Sequence, residues 1–181
     1  MDTATIYSMQ VPKKIIAGVN SIENIRGLAA DCGIKKALIV TDQGVWKAGL
    51  VDRPKAVLES AGVSVEVINN VPPEPEIGQV KEIFSVAKKF DCQMVVGIGG
   101  GSAMDVAKII ATLMTNDDTL EELLGVDKVK NKSLLTLMIP TTAGTGAEAT
   151  PNAIVTIPEK EVKVAVSSSK TIPDFVILDP M

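Results

Sequence analysis

The sequence predicts a doubly wound α/β domain with a mainly parallel sheet and one projecting β-hairpin. Short apolar runs alternate along the chain with stretches of helical periodicity, which is the pattern of repeated strand–helix–strand units. Most of these runs are apolar on both faces, as expected for parallel strands that helices cover on both sides. With 181 residues, of which 46% are hydrophobic and 22% charged, the chain has the size and composition of one globular domain.

Five runs predict the strands of the sheet, at 36–42, 63–68, 94–98, 134–140 and 175–179. The second run alternates and is β-branched, whereas the others are mostly apolar. One segment departs from the alternation, because 153–167 contains two strand-like runs joined at Pro158, Glu159 and Lys160. We expect this segment to form an antiparallel hairpin outside the main sheet.

Helical patterns lie between the strands, and several have recognisable starts. Ser21 is placed to cap the first helix, and Pro54 suits the first turn of another. Thr119 and Glu122 form a capping-box pair. Apolar residues recur at helical spacing in two further stretches, at 80–90 and 103–114. The second of these is apolar nearly all round, which predicts a buried helix.

Composition disfavours several classes of function. The net charge is −4 and the basic residues are scattered, so we expect no nucleic-acid partner. We find no signal peptide and no apolar run long enough to cross a bilayer, and we expect a cytoplasmic protein without membrane contact. Cys32 and Cys92 are expected to be structural thiols in a reducing compartment. The chain has no histidine, which removes Ser-His-Asp and Cys-His catalysis.

The stretch GIGGGSAMDVAK at 97–108 places three consecutive glycines between a strand and a helix. One interpretation is a tight turn that needs positive φ. The other is a phosphate site, since bare N–H groups would lie beside a helix N-terminus at the carboxyl edge of the sheet. Three glycines exceed what one turn needs, which favours phosphate. The standard dinucleotide fingerprint is incomplete, however, because Ser102 replaces its last glycine.

Two further features follow predicted strands. The loop PTTAGTGAEAT at 140–150 offers three hydroxyls, those of Thr141, Thr142 and Thr145. Thr145 and Glu148 also match a capping box, so this loop has both a structural and a binding interpretation. Asp42 ends an earlier strand, where its carboxylate could accept hydrogen bonds from a ribose diol and repel a 2′-phosphate. It fits a turn or cap equally well.

The motifs GIGGGSAMDVAK, IPTTAGTGAEAT and IPDFVILDP together resemble those of the iron-containing, or group III metal-dependent, alcohol dehydrogenases. VPPEP at 71–75 and KALIVTDQG at 36–44 correspond to similar segments of that family, so the resemblance covers nearly the whole chain from Val11 onward. It implies an N-terminal Rossmann-like nucleotide-binding domain, a C-terminal all-helical metal domain, and a cofactor in the cleft between them.

The resemblance also implies a set of NAD-binding residues, by position in the matching motifs. Those expected at the pyrophosphate are Gly99, Gly100, Gly101 and Ser102. The others are Asp42 and Leu178 at the adenosine, Asp105 on the nicotinamide side, the hairpin residue Lys163, and the loop residues Thr141, Thr142 and Thr145. One position departs from the family, since Glu74 replaces a usual asparagine. We leave Glu74 out of the site because a carboxylate cannot donate the hydrogen bonds of an amide.

The metal ligands of the family, one aspartate and three histidines, have no counterpart in this chain. We therefore expect 1–181 to be the N-terminal dinucleotide-binding domain of a longer protein, and to be inactive alone. For the whole protein the resemblance implies a homo-oligomer that transfers hydride between NAD and a primary or secondary alcohol, aldehyde or ketone, assisted by iron or zinc. No catalytic residue is assigned. The alternatives are a catalytically inert nucleotide-binding fragment and a relative of glycerol dehydrogenase or dehydroquinate synthase.

Overall fold

The computed structural model describes residues 9–181, which leaves the first eight residues of the predicted domain outside the description. Its main sheet contains six strands, β1 Lys14–Ala17, β2 Lys36–Val40, β3 Ser64–Ile68, β4 Met94–Gly99, β6 Leu135–Pro140 and β9 Phe175–Leu178. They lie in the order β1, β9, β6, β4, β2, β3, and every neighbouring pair is parallel.

A smaller sheet contains the remaining strands, β5 Gly125–Val126, β7 Asn152–Ile157 and β8 Val162–Ser167. β7 and β8 are antiparallel and joined by a 3-10 turn at Pro158–Lys160, while β5 pairs in parallel with β8. The hairpin therefore lies outside the main sheet, as its break in the strand–helix alternation predicts. The predicted fold class is confirmed.

The described chain contains six α-helices, α1 Ile25–Asp31, α2 Gln43–Lys47, α3 Asp52–Ser60, α4 Ile77–Ala87, α5 Gly101–Leu113 and α6 Leu120–Leu123. Their buried side chains form two clusters: α1 and α3 contribute to one, and α4 and α5 to the other. α5 is buried along most of its length because it has no extended polar face. None of the helices in residues 9–181 combines the length and the hydropathy needed to cross a membrane.

The five predicted strands of the main sheet are confirmed, each within two residues at either end. Pro54 lies in the first turn of α3, and the Thr119 N–H donates to the Glu122 carboxylate over 2.8 Å, so the predicted capping box forms. Sequence analysis did not predict β1. This four-residue edge strand has mostly exposed side chains, and its position depends on pairing with β9.

The predicted cap at Ser21 is wrong. The chain enters a 3-10 turn at Ser21–Asn24, and the carboxylate of Asp179 accepts the N–H groups of Asn20 and Ile22, each over 3.1 Å. A side chain from beyond β9 therefore supplies the acceptors that the Ser21 hydroxyl was expected to provide.

Asp174 connects the amino ends of three strands. Its side chain is fully buried, accepts the N–H of Thr136 over 3.2 Å, and pairs with the ammonium groups of Lys13, at 2.8 Å, and Lys132. Its carbonyl accepts the N–H of Lys14 over 3.2 Å. One residue thus links β1 and β6 to the start of β9.

The two cysteines are free and differ in burial, since Cys92 is buried and Cys32 is half-buried. Burial raises the pKa of the Cys92 thiol to about 11. Of the two structural thiols expected from the sequence, Cys92 fits that expectation more closely.

We expect Cys92 to make the free energy of unfolding fall as the pH rises from about 9 to about 11. The unfolded chain releases the thiol proton near its ordinary pKa, whereas the folded chain retains it, so deprotonation favours unfolding by roughly 1–2 kcal/mol. Urea denaturation at pH 8 and pH 10.5 measures the loss. Cys92→Ala should reduce it and Cys32→Ala should leave it unchanged; the same loss in both variants would contradict the assignment.

Candidate functional site

The candidate site lies where the strand order reverses. After β2 the chain adds β3 on one side, then crosses over and adds β4 on the other side of β2. The carboxyl ends of β2 and β4 therefore border a crevice, which is where open α/β sheets bind ligands.

Hydrogen bonds hold the loops after β2, β4 and β6 together at this edge. The hydroxyl of Thr41, directly after β2, donates to the carbonyl of Ile98 over 2.7 Å. The N–H of Thr141, directly after β6, donates to the carbonyl of Gly99 over 2.9 Å. Thr41 is fully buried, and sequence analysis missed it because nothing in the segment 36–44 indicates that its hydroxyl contacts the end of β4.

Two glycines of the motif are required by the fold. A Cβ on Gly97 would lie 2.7 Å from Sδ of Met138 and 2.9 Å from Cβ of Ala107, so this glycine allows α5 to pack closely on the sheet. Gly99 has φ +146°, and a Cβ there would lie 2.8 Å from Cβ of Ala103. The tight-turn interpretation is therefore correct for Gly99.

Gly100 and Gly101 are not required by the fold. Gly100 has φ −82° and ψ −170°, which any residue adopts, and Gly101 begins α5. A Cβ on either would meet the side chains of Thr142 or Thr145 no closer than 3.5 Å, an ordinary contact. No side chain of the described residues caps α5, and its first turn borders an open cavity. Bare backbone beside an uncapped helix N-terminus suits a phosphate group.

Asp42 is the N-cap of α2 and also lines the crevice, while its ribose role remains a prediction. Its Oδ1 accepts the N–H groups of Gly44 and Val45 over 2.8 and 2.9 Å, which makes Asp42 the N-cap of α2. Its Oδ2 is directed toward the glycine turn, 3.2 Å from where a Cβ on Gly99 would stand. A carboxylate oxygen therefore borders the crevice while its partner oxygen fixes the side chain.

Residues 141–147, which we call the threonine loop, cover the far side of the glycine turn. The predicted capping box at Thr145 and Glu148 is wrong, since no helix follows. The Thr145 hydroxyl instead accepts the N–H of Ala147 at 3.4 Å. The carbonyl of Ala147 accepts a hydrogen bond from the ammonium of Lys108 over 2.9 Å.

Two cavities share a wall formed by Thr141 and Thr142. The smaller, of about 690 Å³, is lined by the glycine turn and Asp42. The larger, of about 930 Å³, extends toward the end of β9 and includes Leu178, with Arg53 among its few charged residues. Together they span the ends of β2, β4, β6 and β9, which suits an extended ligand.

Four predicted site residues line neither cavity, namely Gly99, Asp105, Thr145 and Lys163. Asp105 is buried on α5, with Oδ1 2.9 Å from the Lys108 ammonium and Oδ2 accepting the N–H of Ile154 over 3.0 Å. Lys163 on β8 pairs with Glu74 at 2.7 Å, and its ammonium holds the pKa of the Glu74 carboxyl below its ordinary value. The cofactor roles of Asp105 and Lys163 remain predictions.

Glu74, which sequence analysis left out of the site, lies next to the glycine turn. Its N–H donates to the hydroxyl of Ser102 at 3.4 Å, and neighbouring residues Val71, Pro72 and Pro73 line the smaller cavity. The proline-rich segment 71–75 therefore contributes a third wall, which its position in the sequence alone did not indicate.

Comparison with known proteins places these features in a family. The family model described as "Iron-containing alcohol dehydrogenase" matches residues 12–180. "Alcohol dehydrogenase 4" of Schizosaccharomyces pombe is 42% identical over 148 residues, which is 82% of this chain and 35% of that protein.

Solved structures agree. The crystal structure of 1,3-propanediol oxidoreductase superposes with a TM-score of 0.92 at 32% identity, covering 97% of this chain and 46% of that one. Sulfoacetaldehyde reductase from Bifidobacterium kashiwanohense, solved in complex with NAD+, superposes with a TM-score of 0.85 at 28% identity, covering 98% and 47%. The chain thus spans less than half the length of these three proteins.

Proposed function

Because the chain belongs to the family of iron-containing alcohol dehydrogenases, we propose that it binds NAD across the two cavities at the carboxyl edge of its sheet. The observation that carries the proposal is the pair Gly100 and Gly101, which the fold does not require and which leave the N-terminus of α5 bare. The reaction proposed for the whole protein is hydride transfer between NAD and an alcohol or its aldehyde or ketone.

The residues that line the two cavities fit a dinucleotide, and each proposed role follows from the position of the residue in the cavity. The first-turn N–H groups of α5 bind the pyrophosphate, assisted by the positive end of the helix dipole. Oδ2 of Asp42 accepts a hydrogen bond from a ribose hydroxyl. Thr141 and Thr142 offer hydroxyls where the cavities meet, and Leu178 offers apolar surface for the adenosine. When bound, the nicotinamide supplies the hydride acceptor or donor.

A catalytic iron or zinc does not fit the residues described. The chain has no histidine, and residues 9–181 bring together no group of three His, Cys, Asp or Glu side chains that could hold a metal ion. We therefore derive no step through a metal here and assign no catalytic residue. The homo-oligomeric state and the cytoplasmic location remain predictions.

The test is calorimetric titration of the 181-residue chain with NAD+ and with NADP+. We expect NAD+ to bind at least about fivefold more tightly, because a 2′-phosphate would lie within a few ångströms of the Asp42 carboxylate, and like charges at that range repel by about 1 kcal/mol or more. Absence of NAD+ binding at millimolar concentration would refute the proposed function.

Two substitutions separate the charge of Asp42 from its capping role. Asp42→Asn retains an oxygen that can accept the N–H groups of Gly44 and Val45, whereas Asp42→Gly removes both the cap and the charge. Both should bring the NADP+ affinity close to that for NAD+. A wild-type preference for NAD+ that survives in both variants would remove Asp42 from the ribose site.

A further inference from the structure

Lys108 is a fully buried lysine whose ammonium is held by three oxygens. It lies on α5 with 0% exposure. Its Nζ donates to the carbonyls of Ala147, over 2.9 Å, and Asn152, and it lies 2.9 Å from Oδ1 of Asp105. The two carbonyls accept hydrogen bonds from the ammonium, whereas the Asp105 carboxylate forms an ion pair with it.

Asp105 adds a third link between α5 and the same stretch of backbone. Its Oδ2 accepts the N–H of Ile154 over 3.0 Å. The pair Asp105–Lys108 thus contacts the backbone at 147, 152 and 154, from the end of the threonine loop into β7.

Burial and the neighbouring carboxylates have opposite effects on the ammonium of Lys108. Burial lowers the pKa of its ammonium, while Asp105 on the same helix and Glu148 on the adjoining loop oppose that shift. Removing a buried charge that makes several well-placed hydrogen bonds lowers stability, because its partner groups are then left buried without a donor or an opposite charge. Nothing in an apolar helix requires such a charge for packing, which points to a positioning role.

We propose that Lys108, together with Asp105, positions the threonine loop against the N-terminus of α5 and thereby fixes the wall shared by the two cavities. The loop is tied at its start, where Thr141 bonds the carbonyl of Gly99, and at its end by Lys108. Most of the residues between are exposed. The consequence for NAD affinity rests on the proposed function, whereas the effect on the loop does not.

The test compares Lys108→Met with wild type by hydrogen–deuterium exchange and by NAD+ titration. We expect backbone exchange in 141–154 to accelerate at least about tenfold while β1 and β9 stay protected, because only the loop loses its donor. The dissociation constant for NAD+ should rise at least about tenfold. Lys81→Met is the matched control, since it removes an exposed pair with Glu121 and should change neither quantity.

A double variant separates positioning from general stability. Asp105→Asn combined with Lys108→Met removes both charges and keeps an oxygen for the N–H of Ile154. Its midpoint of urea unfolding should recover part of the way toward wild type, because the buried Asp105 carboxylate no longer lacks its cation, although Glu148 keeps its charge. Loop exchange and NAD+ affinity should not recover, since the carbonyls of Ala147 and Asn152 still lack their donor.

Each outcome decides the inference. Unchanged exchange in 141–154, or exchange raised equally throughout the chain, would overturn it. Recovery of NAD+ affinity in the double variant, in parallel with stability, would also overturn it. Failure of wild type to bind NAD+ would refute the proposed function alone, and the exchange measurements would still decide whether Lys108 positions the loop.

Discussion

Replacing Gly100 and Gly101 together with alanine is expected to weaken NAD+ binding at least about 30-fold, equivalent to about 2 kcal/mol. Two added Cβ atoms would stand where the pyrophosphate must approach the N–H groups of α5. The free energy of unfolding should change by less than about 1 kcal/mol, because both positions accept an alanine without strain or clash. Titration with NAD+ and urea denaturation of the same preparation measure the two effects.

Gly97→Ala is the matched control with the reverse pattern. Its Cβ would meet Met138 at 2.7 Å and Ala107 at 2.9 Å, and such overpacking costs about 1–3 kcal/mol. The molecules that remain folded should bind NAD+ as wild type does, because Gly97 lines neither cavity. If the double alanine variant binds NAD+ normally, the phosphate site is elsewhere.

Asp174→Ala is expected to lower the free energy of unfolding by about 3 kcal/mol. The buried N–H of Thr136 would lose its acceptor, and two lysines would lose the carboxylate that joins the amino ends of β1, β6 and β9. NAD+ affinity should not change, since this end of the sheet is opposite the proposed site. Chemical denaturation and cofactor titration provide the two measurements.

Glu121→Ala controls for the loss of an ordinary surface pair. Glu121 and Lys81 are both about half exposed, so their contact should contribute no more than about 1 kcal/mol. Asp174→Asn should have an intermediate effect because it keeps an oxygen for Thr136 but removes the charge. An Asp174→Ala variant as stable as Glu121→Ala would show that the buried carboxylate does not hold the strands together.

The central strands could be predicted from sequence because burial on both faces requires apolar or small residues at consecutive positions. Met94 to Gly99 is buried at all six positions, and the run is apolar or glycine throughout. β1 lacks this pattern of burial, since Lys14 and Ile15 are exposed and its pairing partner is far along the chain. Edge strands of this kind are defined by tertiary contact rather than by local pattern.

Caps were predictable only where both partners are local. Thr119 and Glu122 are three residues apart, and their capping box forms. Thr145 and Glu148 have the same spacing, but the Lys108 ammonium binds the backbone of that segment and no helix follows. Asp179, not Ser21, supplies the acceptors at the first helical turn. In both cases the polar partner lies far away in the sequence, where a local pattern gives no sign of it.

The glycine turn and Asp42 could be located from motifs because the carboxyl ends of parallel strands converge on one edge. The sequence did not show which glycines of the turn are required by packing and which are not, because that depends on the atoms around each one in the fold. Thr41, Glu74 and Lys108 were missed as contributors to the site. Each acts through a contact with residues at least 28 positions away.

The pairing of β1 with β9 has a consequence for biosynthesis. Lys14 lies beside Phe175, and Ala17 beside Leu178, so β1 pairs with a strand that is synthesised far later in the chain. Until then β6 presents an open edge, which is a template for pairing with another nascent chain. Closing so long a loop is also slow compared with local folding. During synthesis β1 therefore stays unpaired until β9 has been made. The folding yield at high expression should depend on how quickly β9 is synthesised and paired.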